Sequence, residues 1–185
     1  MYSREKESTI NARYVIIKKL NFVLTLVGGQ RETITVLETI SGDGRVLPPM
    51  IIYKGKAHYR HWHNNLGEED KDTVFAYSDK GWTNQILGVE YLRLLFEPMI
   101  APKGSEKDNW RLLIVDGHNS HFSTEFISFC EEHRIELFCI PPHTTYILQP
   151  LDVGLFSPLQ HYYSKGVENF MRVGQESVHK GTFLP

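Results

Sequence analysis

The chain is short of cysteine, of long apolar runs and of surplus charge of either sign, and each shortage removes a class of protein. Two cysteines, Cys130 and Cys139, stand among 185 residues. That is too few for a disulfide framework, and neither a Cys-x-x-Cys nor a Cys/His spacing points to a zinc finger. Both read as buried thiols of a reducing compartment. No apolar run approaches the roughly 20 residues that cross a bilayer. "FVLTLV", from Phe22 to Val27, lies behind a long polar leader and reads as a strand rather than a signal-peptide core. The formal net charge of −2 and pI near 6.5 advertise no global affinity for phosphate, so any contact with nucleic acid must be local. Repeats and low-complexity tracts are absent as well. What remains is the composition of an ordinary globular domain, 41% hydrophobic and 23% charged, at a length that suits one domain.

Strand and helix patterns alternate along that domain. Arg13–Lys19 and Phe22–Val27 each read as a strand, separated by Leu20-Asn21. "ETITVLETI" and "RVLPPMIIYKG" are rich in β-branched residues and flank Ser41-Gly42-Asp43-Gly44, whose Asp-Gly step predicts a hairpin. Pro48 and Pro49 in the second run point to a sheet edge or bulge. A polar, His-rich loop follows to Ser78. Thr83 is the expected N-cap of a helix from Asn84 to about Phe96, ended by Pro98 and Pro102. Leu112–Val115 is too apolar to alternate and predicts a central strand covered on both faces. Ser123 or Thr124 caps a helix to about His133, and Ile135–Ile140 is a strand stopped by Pro141-Pro142. A last helix is expected from Asp152 or Val153 towards Phe170, with Gly154 and Pro158 breaking its opening turns. This order predicts an α/β fold, a mixed sheet with helices on both faces.

Two aspartates stand where an apolar run gives way to a turn or helix: Asp116 after Leu112-Leu113-Ile114-Val115, and Asp152 in "ILQPLDVG", with 35 residues between them. Carboxylates that converge at a sheet end repel one another unless a cation is shared, which favours a hard divalent metal such as magnesium. The plainer readings are a turn closed by Asp116 with Gly117, and a helix N-cap at Asp152. His118, His121 and His143 raise a zinc site as a rival, although their spacing matches no helical His-x-x-x-His arrangement. Lys54, Lys56 and Arg60 are interleaved with Tyr53, Tyr59 and Trp62, a mixture that suits phosphates and unpaired bases and equally suits a solvated loop. Trp82 and Trp110 flank expected element starts and read as packing anchors.

Four phrases, "RETITVLETISGDGRVLPPMIIYKG", "GWTNQILGVEYL", "WRLLIVDGHNSH" and "IPPHTTYILQPLDVGLFSPLQHYYSK", together resemble the DDE superfamily endonucleases, specifically the pogo/Tigger-type transposases. The resemblance implies a ribonuclease H-like fold and three acidic residues that hold Mg2+ (or Mn2+) for DNA strand cleavage and transfer. Asp116 matches the second acid and Asp152 the third; His118, His121, His143 and Gln149 match positions that support the active-site loops. DNA is the implied partner, with no membrane and with room for a homo-oligomer, and the implied location is the nucleus.

The match also has gaps. The Asn-x-Asp-Glu phrase that carries the family's first acid on its first strand is absent, so that strand is expected to be missing and the cleavage activity impaired. Tyr146 stands where the family has a further histidine. The expected organisation is a poorly defined N-terminal remnant over 1–30, a truncated catalytic domain over 31–175 and a tail over 176–185. Glu5, Glu7 and Glu32 are the remaining candidates for a substitute acid, while Asp43 at the hairpin tip points away from the acids. The alternative function is a domesticated, non-catalytic DNA-binding or interaction module.

Overall fold

A long antiparallel hairpin organises the sheet. Tyr14–Thr25 (β1) and Arg31–Ser41 (β2) pair from Val15 opposite Ser41 to Thr25 opposite Arg31. Met50–Lys54 (β3) pairs antiparallel to β2, and Val74–Ser78 (β4) parallel to β3. On the other side of the hairpin Arg111–Val115 (β5) lies parallel to β1, and Ile135–Cys139 (β6) parallel to β5. The six-stranded order is β4-β3-β2-β1-β5-β6. The helices are α1 (Gln85–Tyr91), which runs through a π-helical turn at Leu92–Phe96 into α2 (Glu97–Ile100), then α3 (Thr124–Glu132), α4 (Thr145–Leu148) and α5 (Ser157–Arg172). This computed structural model describes residues 14–25, 31–57, 59, 67–101, 109–116, 123–141, 144–148, 151, 154 and 157–172, with 14–25 and 31–32 described by backbone alone.

The centre of the sheet is filled by β1, which does not carry the Asn-x-Asp-Glu phrase of the strand expected to be missing. Residues 14–25, read from sequence as two short strands within a remnant, form one strand between β2 and β5. Val, Ile, Phe and Thr favour an extended backbone, and eleven consecutive register pairs with β2 carry it through Leu20-Asn21 without a break. Strand β4 falls in the stretch read as loop, and it makes β3 an interior strand. Pro48 and Pro49 precede β3 and lie outside its ladder.

The helices follow capping chemistry with small shifts. Asn84, not Thr83, caps α1: its Oδ1 accepts from the Leu87 N–H at 2.9 Å. Pro98 does not end the helix, because the π turn restarts the hydrogen-bond ladder and Pro98 falls in the first turn of α2, where a missing N–H loses no partner. Ser123 Oγ accepts from the Phe126 N–H and caps α3. Helix α5 spans Ser157–Arg172, and the expected start at Asp152 or Val153 lies outside the described residues. Gly81, at φ +73°, lets the turn after β4 close on β2; an added Cβ would lie 2.7 Å from the Thr33 carbonyl oxygen. The Gly81 carbonyl in turn accepts from Thr35 Oγ1 at 2.7 Å.

The main core lies on one face of the sheet. Leu37, Met50, Ile52, Leu113 and Val115 meet Tyr91, Leu92, Leu95, Phe96, Phe126 and Cys130 from the helices. Each large apolar side chain buried there stabilises by about 1.5–3 kcal/mol. Thr39 and Tyr91 share a buried hydrogen bond across this face. Buried Arg111 donates to Glu97 at 2.7 Å and to the His133 carbonyl, and its guanidinium lies over the Phe96 ring. The opposite face also buries side chains, Ile34, Val36, Ile51 and Tyr53. Leu151, between α4 and α5, packs there against Ile40 and Ile114. Strand β5 accordingly alternates, with Arg111, Leu113 and Val115 fully buried and Leu112 and Ile114 half-buried.

Candidate functional site

Asp116 is the first residue past β5, half-buried, where the strand ends between β1 and β6. The Ile140 N–H donates to the Val115 carbonyl at 2.9 Å and holds this end of β6 against it. Burial, and then the Asp116 carboxylate, raise the pKa of the half-buried Cys139 thiol. Asp116 therefore presents its charge beside Cys139 at the carboxyl end of the parallel strands. The Cys130 thiol lies in the core, and burial pushes it up to about 12. Both cysteines are free, as expected, although Cys139 is only partly buried.

Strand alternation decides which residues share a face with Asp116. Ile40 on β2, Ile16 on β1 and Ile114 on β5 form one cross-strand row. Leu151 caps this row by packing on Ile40 and Ile114. Two residues on, Glu38 pairs with Lys18, and extending the β1–β5 register by the same two residues brings Lys18 level with Asp116. Glu38 is half-buried, and burial raises the pKa of its carboxyl group. The place of Glu38 and Lys18 beside Asp116 exists only through strand pairing.

Asp152 lies outside the described residues. Leu151 immediately before it is 2% exposed and sits on the row next to Asp116. His118, His121, His143, Gln149 and Arg60 also lie outside the described residues, as do Glu5, Glu7 and Trp62. Lys54 and Lys56 are exposed. Strand β3 runs in the same direction as β1 and β5, so Lys54 is at the Asp116 end of the sheet, about 17 Å further along the strands. Asp43 is at the opposite end, in the β2–β3 hairpin, where Arg45 binds its carboxylate at 2.9 Å and holds it well below the usual range. Glu32 pairs with Leu24 at the far end of the β1–β2 hairpin. Trp82 and Trp110, read from sequence as packing anchors, are 52% and 48% exposed and lie on the surface.

These placements allow a test of whether a metal pair fits. A shared pair of divalent ions needs several converging oxygen ligands. Among the described residues no group of three or more His, Cys, Asp or Glu side chains is placed to hold an ion. Strand β1, YVIIKKLNFVLT, has no acidic residue at all, and its residue level with Asp116 is a lysine. Among the described residues the donors do not make up a site for a bridged pair of metal ions.

Comparison with known proteins shows the family and the fold. A family model described as DDE superfamily endonuclease matches residues 30–182. The chain is 36% identical over 157 residues to "MFS-type transporter clz9" of Cochliobolus lunatus, covering 84% of this chain and 16% of that protein. The transporter name belongs to that protein; among the described residues here no helix is long and apolar enough to cross a membrane. "Pogo transposable element with KRAB domain" of Mus musculus is 24% identical over 147 residues, 80% of this chain and 23% of that one. The chain thus spans under a quarter of the length of these curated relatives. Among solved structures, the catalytic domain of Mos1 mariner transposase superposes with a TM-score of 0.53 at 13% identity, over 96% of this chain and 76% of that one. The likeness shows the ribonuclease H-like fold.

Proposed function

From the premise that this chain belongs to the DDE superfamily endonucleases, as a pogo/Tigger-type domain, we propose that it binds nucleic acid with an inherited, impaired apparatus for metal-dependent DNA strand cleavage and transfer. One observation carries the reading. The strand at the centre of the sheet, next to the one that ends in Asp116, contains no carboxylate.

The geometry supports what each remaining group does. Strand β5 is paired on both sides and fixes Asp116 at the sheet end, so a phosphodiester brought there meets a rigid negative charge. In-line displacement at phosphorus builds charge on the attacking and the leaving oxygen together, and a bound metal pair is what stabilises both. The Mos1 catalytic domain is known with Mg and with Mn; the donors here do not support the same occupancy. DNA would be engaged through phosphate contacts from Lys54 and Lys56, with Arg60 following in sequence. A nuclear location belongs to the same reading, and fluorescence imaging of the tagged chain checks it.

Cleavage and binding are tested apart. Supercoiled plasmid incubated with the protein and Mg2+ or Mn2+ is expected to stay intact, and robust nicking abolished by Asp116→Ala would overturn the impairment. Filter binding across a salt series is expected to show affinity that falls steeply with salt. The same absence of acid on β1 favours a second reading, a domesticated module that binds without ever cleaving. The two differ in whether any residual, Asp116-dependent nicking is detectable at high enzyme concentration.

A further inference from the structure

The turn that carries Trp82 is tied down through its backbone. Lys54 at the end of β3 pairs with Ser78 at the end of β4. The Gly55 and Gly81 N–H groups both donate to the Ser78 carbonyl, at 2.9 and 3.0 Å, and Ser78 Oγ donates to the Trp82 carbonyl at 2.8 Å. Thr35 Oγ1 donates to the Gly81 carbonyl, and a Cβ added to Gly81 would lie 3.0 Å from the Lys54 Cβ. Gly81 and Thr83 are buried, yet Trp82 between them is 52% exposed. The fold thus fixes the backbone of a tryptophan and leaves the residue at the surface, one position from the glycine that packs on Lys54.

The charge around it differs from that of the whole chain. Residues 54–56 and 78–82 carry Lys54, Lys56 and Lys80 against Asp79, all exposed, while the formal net charge of the chain is −2. Lysines attract phosphates, and a fixed, exposed aromatic beside them offers a face on which a base stacks. In a duplex the base faces are occupied by one another, so only an unpaired base can use the indole. The patch stands at the carboxyl ends of β3 and β4, the end of the sheet at which Asp116 lies. Strand geometry puts it about 17 Å further along and about 14 Å across, a span of several nucleotides at ~3.4 Å each. It therefore meets a strand leaving the Asp116 site rather than the phosphate at that site.

We propose that Trp82, with Lys54, Lys56 and Lys80 around it, is a stacking platform for unpaired bases, so that the chain prefers single-stranded DNA to duplex. The inference rests on reading the chain as a nucleic-acid binder and names the form of DNA it takes. A tryptophan that is only part of the surface would leave base-dependent binding unchanged when replaced.

The test is fluorescence polarisation of the full chain with three labelled ligands of equal length: an oligothymidylate, an abasic strand and a duplex. The abasic strand keeps the phosphates and lacks the bases. The wild type is expected to bind the oligothymidylate on the order of tenfold tighter than the abasic strand, and tighter than the duplex. Trp82→Ala is expected to remove that margin and Trp82→Phe to keep part of it, both with the salt slope unchanged. Lys54→Gln/Lys56→Gln is expected to weaken all three ligands and to lower the salt slope on single strands by about 1.4.

Equal binding of the oligothymidylate and the abasic strand by the wild type would overturn the proposal, whether or not any variant folds. Tighter binding of the duplex than of the oligothymidylate would do the same, as would a Trp82→Ala protein, folded by circular dichroism, that keeps the margin. A wild type that binds all three ligands with a steep salt slope and no base-dependent margin sinks the platform alone and leaves the nucleic-acid reading standing. A wild type that binds none of the three sinks both.

Discussion

The two faces of the sheet solve different physical problems. On the face of α1, α2 and α3, the polar groups carried into the core include Thr39, bonded to Tyr91, and Arg111, bonded to Glu97 and the His133 carbonyl. The face of Leu151 also buries Ile34, Val36, Ile51 and Tyr53, but it carries two half-buried acids, Glu38 and Asp116, with a lysine in register between them. The first face is built for stability, and the second keeps charge at the edge of water. Charge that is to act on a ligand must be only partly desolvated, since full burial would neutralise it.

Breaking the first face should cost most. Arg111→Ala leaves Glu97 and a helix-end carbonyl without their donor, and it should lower unfolding free energy by about 3–5 kcal/mol in a denaturant titration. Asp116→Asn, on the other face, should change it by no more than about 1 kcal/mol, because the group is partly solvated. Equal losses for the two would erase the distinction between the faces.

Tyr91→Phe is a finer probe of the same core. It keeps the ring and removes one hydroxyl, leaving Thr39 buried and unpaired, for an expected loss of about 1–2 kcal/mol. A neutral result would mean that the Thr39 hydroxyl finds another acceptor.

The smallest effect separates the two cysteines. Cys130 lies in the core, with its thiol pushed up to about 12, and should resist alkylation at neutral pH. Cys139 is more accessible, and the neighbouring Asp116 carboxylate raises its pKa. Neutralising that carboxylate in Asp116→Asn lowers the thiol pKa, increases the thiolate fraction below it, and should speed labelling of Cys139 a few-fold. The rate of Cys139 labelling against pH, wild type beside Asp116→Asn, checks the sign. An unchanged profile would remove Asp116 from the neighbourhood of Cys139.

Much of this molecule was legible because its signals are local. The Asp-Gly hairpin, the Ser123 cap and the apolar run ending in Asp116 each follow from a few adjacent residues, and the structure has all three. Strand β4 and the continuous β1 were not legible. "VFAYS" stands at the end of a polar stretch and Leu20-Asn21 reads as a break, and both become strand by pairing with neighbours that are strongly extended. The one-residue error at the α1 cap has the same origin, since Thr83 and Asn84 are both good caps and burial of Thr83 settled which one serves.

The sequence by itself determined the family, the α/β order of elements and the place of Asp116 at the end of an apolar strand, because specific phrases and local propensities need no knowledge of what lies across the sheet. It also determined that no acid would be found between Tyr14 and Thr25. Only the tertiary structure decided that this stretch occupies the centre of the sheet and that Glu38, Lys18 and Asp116 share a row. Register is set by pairing between strands distant in the chain, and one residue of slip would send every side chain to the other face.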